Sequence, residues 1–173
     1  MLFVEWDASE LGGGGDISLE GSLIAWHAYM VRQTDTMFEE AGGPGSAVRG
    51  GSARGVVWPP FAPQYIRKTD GVVVPAWGGV PKLRGKGMVK PRKRPSGQPV
   101  TPASPLMQDT GRLRQRAATE VVEVSPASLV FGTRLEYAPY QQELRPFLFV
   151  TDEDADILAE MVADYLTGGE NAE

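Results

Sequence analysis

The chain has 173 residues, a net charge of -5 and 42% hydrophobic residues, which suits one ordinary domain with some residues left for extensions. It contains no cysteine, so disulfides, thiolate zinc sites and thiol nucleophiles are excluded together. No apolar run approaches the roughly 20 residues that span a bilayer, and Met1-Leu2-Phe3-Val4-Glu5-Trp6-Asp7 has neither a basic leader nor a small-residue cleavage site, so a soluble protein made in the cytoplasm, with no membrane association, is expected.

In chain order, residues 2 to 6 are rich in strand formers and predict a short strand, ended by Gly12 to Gly15. From Ser18 to about Ala41, the apolar residues Leu19, Leu23, Trp26, Met30, Met37 and Phe38 recur at helical spacing. Asp16 or Ser18 is available as N-cap and Gly42 lies just past the end, which predicts a long helix with one buried face. Residues 42 to 55 are low in complexity and lack an apolar period, so a mobile glycine-rich loop is expected there. Val56-Val57-Trp58-Pro59-Pro60-Phe61 restores bulky apolar side chains, and residues 62 to 68 have room for a helical turn.

From 71 to 105 prolines and glycines recur every few residues, with 72 to 74 the only strand-like run, and so long a stretch predicts an extended arm. Thr110 is placed to cap a short helix through Ala117. Residues 119 to 124 and 128 to 133, joined by Ser125-Pro126-Ala127, predict a hairpin, and 147 to 150 a third strand. Thr151-Asp152-Glu153-Asp154 opens a last helix with a hydroxyl cap and an acidic first turn, and its apolar face is Ile157, Leu158, Met161, Val162, Tyr165 and Leu166. The class expected is α+β: one domain over 1–173, with a small antiparallel sheet flanked by a long N-terminal helix and a C-terminal helix, and a long basic arm.

The small net charge hides a pattern. Residues 1 to 48 hold eight acids and one base, 49 to 116 fourteen bases and two acids, and 117 to 173 twelve acids and two bases. Like charges in one block repel, so the basic middle calls for a partner or for an acidic surface of the same or a neighbouring subunit. Lys82, Arg84, Lys86, Lys90, Arg92, Lys93 and Arg94 put seven bases in thirteen residues without an acid. Such a run binds nucleic acid by counterion release, or rests on an acidic protein face, or stays solvated. It has no interleaved aromatic stacking platform, Trp77 being the nearest ring, which tips the reading toward protein contact.

Chemistry is otherwise sparse. The sole histidine, His27, has no cysteine or second histidine to share a metal with, so a structural role is expected. The acids Asp152, Glu153, Asp154 and Asp156 are accounted for by capping and the helix dipole. Gly12 to Gly15 runs into Asp16, which repels phosphate, and Gly50-Gly51-Ser52-Ala53-Arg54 lacks the second glycine of a nucleophile elbow. No catalytic residue, metal or cofactor is assigned.

Short motifs follow one another through the last third: Leu106-x-x-Asp109-Thr110-Gly111-x-Leu113, Gly132-Thr133, Tyr137-Ala138-x-x-Gln141, Arg145-Pro146-Phe147-Leu148 and the capped helix. Upstream stand Phe38-x-x-x-Gly42 and Trp58-Pro59-x-x-x-x-x-Tyr65-x-x-Lys68. In this order they resemble the phage virion morphogenesis proteins, the tail-completion or neck family of tailed bacteriophages, over roughly residues 18 to 68 and 104 to 167. The chain departs from that pattern in the 42 to 55 insert, in the 71 to 103 stretch and before Arg145, where Glu143 and Leu144 replace a longer glycine-containing lead.

The resemblance implies a non-enzymatic structural protein of the virion, made in the bacterial host cytoplasm and placed at the head-tail junction. It further implies a ring of copies, six-fold or twelve-fold, meeting neck, tail-terminator or tail-tube proteins, with genome DNA in the lumen. The expected interface residues are Trp58, Phe61, Tyr137 and Arg145, with Lys82, Arg84, Lys86, Lys90, Arg92, Lys93 and Arg94 on the arm. The alternative is a nucleic-acid-binding module that acts through the 82 to 94 bases.

Overall fold

A computed structural model describes residues 1–7, 18–61, 64–66, 73–75, 80–81, 88–89, 96–98, 100–101 and 103–167. The class is α+β, built on a small antiparallel sheet, a long helix near the N-terminus and a C-terminal helix. Packing divides the chain into two units, Met1–Asp35 with Gln115–Glu173, and Thr36–Arg114.

In the first unit, alternation in Leu2-Phe3-Val4-Glu5-Trp6-Asp7 makes strand β1 (Leu2–Asp7), with the even residues turned inward. Its partner is β9 (Ser128–Thr133), which also pairs with β8 (Val121–Val124), so the order is β1-β9-β8 and all neighbours are antiparallel. The predicted hairpin is therefore correct, and Ser125 closes it by donating its N–H to the Ser128 carbonyl at 2.8 Å. Helix α1 (Glu20–Thr36) covers the inner face of the sheet. Its buried Trp26 meets the buried Phe131 edge-on at 6.0 Å and the half-buried Trp6 at 6.5 Å, an aromatic cluster in which edge-to-face contact adds to area burial.

Ser18 accepts from the Glu20 N–H at 3.4 Å, and the Leu19 N–H donates to the Pro126 carbonyl at 2.7 Å, tying the start of α1 to the hairpin turn. Helix α5 (Asp152–Leu166) starts with a capping box: Thr151 accepts from the Asp154 N–H, and the Asp154 carboxylate accepts from the Thr151 N–H. It runs antiparallel to α1, since Trp26 Nε1 donates to the Asp154 carbonyl, Ser22 to the Met161 carbonyl, and the Tyr165 ring lies against Gly21. Only Leu158 of its predicted apolar face is fully covered, while Tyr165 and Leu166 stand exposed.

The second unit corrects the expected mobile loop at 42–55. Helix α1 widens at its end into a π turn, Met37–Ala41, followed by a short helix α2 (Ser46–Arg49) and a hairpin of β2 (Gly51–Ala53) with β3 (Val56–Trp58). The glycines serve close packing there. A Cβ at Gly51 would collide with the backbone of Ala41, and one at Gly42 with the Phe38 carbonyl and the Trp58 ring. The low complexity of this segment reflects a need for close backbone approach.

Two further short pairs follow, β4 (Gln64–Ile66) with β5 (Val73–Pro75), and β6 (Val80–Pro81) with β7 (Met88–Val89). The helical turn expected in 62–68 is thus a strand over 64–66, and paired backbone occurs within the stretch expected to be a structureless arm. Helix α3 (Arg112–Arg116) follows Thr110 as predicted, with Gly111 at φ +72 in the left-handed region. The third strand expected at 147–150 is irregular chain, and β1 fills that place in the sheet.

Candidate functional site

Ala138-Pro139-Tyr140-Gln141-Gln142-Glu143-Leu144 folds as a single short helix, α4 (Ala138–Leu144), with Tyr137 as its N-cap in helical conformation and Pro139 in its first turn, where a missing N–H costs nothing. Ala138 is buried, and the opposite side carries Tyr137, Tyr140 and Leu144, spaced three and four residues apart and therefore on one face. These side chains are 43%, 62% and 43% exposed.

The face is held by Gln142. Its Oε1 accepts from the Phe147 and Leu148 N–H groups at 3.0 and 3.1 Å, and its Nε2 donates to the Leu148 carbonyl at 2.7 Å. Those three bonds satisfy backbone that the absent strand would have paired, and they fold the Arg145-Pro146-Phe147-Leu148 motif back on α4 with Phe147 and Leu148 buried. Two motifs separate in sequence thus form one clamp, and three large apolar side chains are displayed on a short helix secured at its C-terminal end.

The predicted interface residues fare differently. Tyr137 lies on this face. Arg145 does not: only 8% exposed, it follows α4 and donates its N–H to the Gln141 carbonyl at 2.8 Å. Trp58 is also corrected, because it is wholly buried in the second unit, edge-on to Phe38 at 5.5 Å and 81°. The π turn, with Phe38 against the ring and Gly42 beside it, makes Trp58 part of the core. Phe61 is half-buried and its N–H donates to the Ala47 carbonyl at 2.9 Å. Lys82, Arg84, Lys86, Lys90, Arg92, Lys93 and Arg94 lie outside the described residues. Tyr140, Leu144 and Gln142 went unread as sequence, although the three-and-four spacing from Tyr137 was the signal that could have found the first two.

The other motifs are joints of the fold. Leu106 is buried and its N–H donates to Ser46 Oγ at 2.8 Å, while Gln108 Nε2 donates to the Phe38 carbonyl and, at 2.9 Å, to that of Gly42. Those are carbonyls at the end of a helix, where no further turn supplies an N–H. Asp109 accepts from the Ser96 N–H at 2.9 Å and the Ser96 hydroxyl at 2.6 Å, tying down the chain just after the basic run. Gly132 sits beside Phe3 on the neighbouring strand, where a side chain would strike Leu2 and Phe3.

Glu120 joins the open end of the hairpin to the end of α3. Its carboxylate accepts from the Thr133 hydroxyl at 2.7 Å and the Arg134 N–H at 2.8 Å, and pairs with Arg116 at 3.0 Å. The Thr133 bond, then the Arg134 bond and the Arg116 charge, hold its carboxyl below the usual carboxylate range against the opposing effect of burial. His27 is structural in its contacts: Nε2–H donates to the Ala118 carbonyl at 2.8 Å and the ring packs on Phe131. Among the described residues no group of three or more His, Asp or Glu could hold a metal, and no helix is long and apolar enough to cross a membrane. Compared with family models, curated proteins and solved structures, the chain matches none.

Proposed function

We propose that this chain is a structural assembly protein, without enzymatic activity, that joins copies of itself and neighbouring components at the head-tail junction of a tailed bacteriophage. The observation that supports assembly is the α4 face: Tyr137, Tyr140 and Leu144 exposed together on a helix braced by part-buried hydrogen bonds from the Gln142 side chain to the following backbone. Large apolar side chains held in one orientation cost little ordering entropy on association and mark protein contacts more often than ligand sites. The phage setting is supported by the ordered motif series from Leu106 to the capped α5, whose residues serve as joints within their own units. A ring placed there would be found in the finished virion.

A second reading, binding of duplex DNA, is supported by the charge of the Thr36–Arg114 unit, which holds thirteen bases and four acids. One set of samples separates the two. Light scattering and negative-stain microscopy of the purified full chain are expected to show closed rings, and Tyr140→Glu with Leu144→Glu to weaken assembly by about a hundredfold, the size of a lost interface anchor pair. A monomer at every concentration, or absence from purified virions, would sink the assembly reading. Duplex binding with a steep salt slope, abolished by glutamine at Lys90, Arg92, Lys93 and Arg94, would put DNA first.

A further inference from the structure

The division into units re-sorts the charge. The blocks 1–35 and 115–173, far apart in sequence, form one unit with eighteen acids and four bases, and Thr36–Arg114 forms the other with thirteen bases and four acids. One chain therefore carries a unit of net -14 and a unit of net +9.

On the acidic unit, α1 and α5 lie side by side with Gly21 against the Tyr165 ring. At that end Ile24, Tyr165 and Leu166 are 52%, 50% and 53% exposed, beside the exposed Ala25 and Ala28. Around them stand the exposed acids Glu20, Glu160 and Asp164, and α5 has five exposed acids and no base along its length. Water solvates the carboxylates well but not the apolar strip, and five like charges on one helix repel each other. An occupant with apolar side chains set among bases relieves both. The basic unit has that composition: Val80, Leu83, Met88 and Val89 alternate with Lys82, Arg84, Lys86 and Lys90.

We infer that the exposed α1/α5 face of one copy is the seat for the basic unit of a second copy, so that copies join acidic face to basic unit. The inference rests on the assembly reading above and names a surface for it distinct from the α4 face. Head-to-tail contact of this kind is heterologous and propagates from copy to copy.

Sedimentation velocity of the full chain tests it by charge exchange. Glu160→Lys with Asp164→Lys is expected to weaken self-association at least about tenfold, as is Lys90→Glu with Arg92→Glu, and an equimolar mixture of the two variants is expected to recover it. Raising salt from about 50 to about 500 mM is expected to weaken the wild-type association as well, since screening shortens from over 10 Å to a few Å. Circular dichroism and the neutral pair Glu160→Gln with Asp164→Asn check that loss is not unfolding, because the neutral pair is expected to fall between wild type and reversal. Association indifferent to every one of these changes would overturn the α1/α5 seat while leaving the assembly reading in place. A wild-type chain that never associates would overturn both, and so would salt-dependent expansion of a persistent monomer, which would place the basic unit on its own chain's acidic face.

Discussion

Glu120 shows how a single carboxylate becomes pH-sensitive through its neighbours. Its folded-state pKa lies below the ordinary carboxylate value because the Thr133 hydroxyl, the Arg134 N–H and Arg116 all favour the ionised form. The sign follows: the stabilisation is fully present above the ordinary carboxylate range and is lost as pH falls through the lowered folded value. The stability difference between wild type and Glu120→Gln, measured by urea unfolding, is expected to be constant near neutrality and to shrink as pH falls below about 4.5. A difference that grew on acidification would contradict the arrangement. Single residues also explain where the sequence was readable. At Gly132, within a β-rich run, only glycine leaves room for the Phe3 ring and the Leu2 backbone. Gln108 and Gln142 announced nothing, since a glutamine that satisfies distant backbone looks like any surface glutamine until the backbone groups it serves are located.

Elements whose pattern is local were legible. Helix α1 follows from its apolar period, the β8–β9 hairpin from two β-rich runs around Ser125-Pro126-Ala127, and α5 from Thr151 with Asp154 three residues on. Thr151→Ala is expected to cost about 1 kcal/mol, within the usual 0.5–2 range for a lost N-cap, and thermal or urea unfolding measures it. Here the hydroxyl accepts from the Asp154 N–H at 3.2 Å and donates to its carboxylate at 2.8 Å. A shift of zero would mean the cap is solvated equally well without it. Helix α4 has only a weak local signal because it is barely two turns long and its Gln142 bonds to Phe147 and Leu148, which lie beyond the seven helical residues. The 42–55 segment was misread for the opposite reason: its composition is that of a linker, yet Gly42, Gly43 and Gly51 are packed against backbone and side chains.

For the whole molecule the decisive fact is that there are two cores. One is centred on Trp26 and Phe131, the other on Trp58 and Phe38, and all four rings are fully buried. Removing a buried ring costs about 3–5 kcal/mol. Phe131→Ala is therefore expected to lower amide protection most in 1–7, 18–35 and 115–167, and Trp58→Ala most in 36–61 and 103–114, as read by native-state hydrogen exchange. Equal loss everywhere from either change would mean that the two cores unfold as one. The amino-acid sequence by itself determined the α+β class, the long first helix, the hairpin, the capped last helix and the alternation of acidic and basic blocks, because each depends on neighbours within about a dozen residues. Only tertiary structure decided that β1 pairs with β9 across more than a hundred residues, that Trp58 and Arg145 lie inside, that Tyr137, Tyr140 and Leu144 lie outside, and that the two acidic ends form one unit. The physical reason is that burial and charge grouping are properties of which distant segments meet, and chain order constrains such meetings only weakly, since the entropy of closing a loop grows slowly with its length.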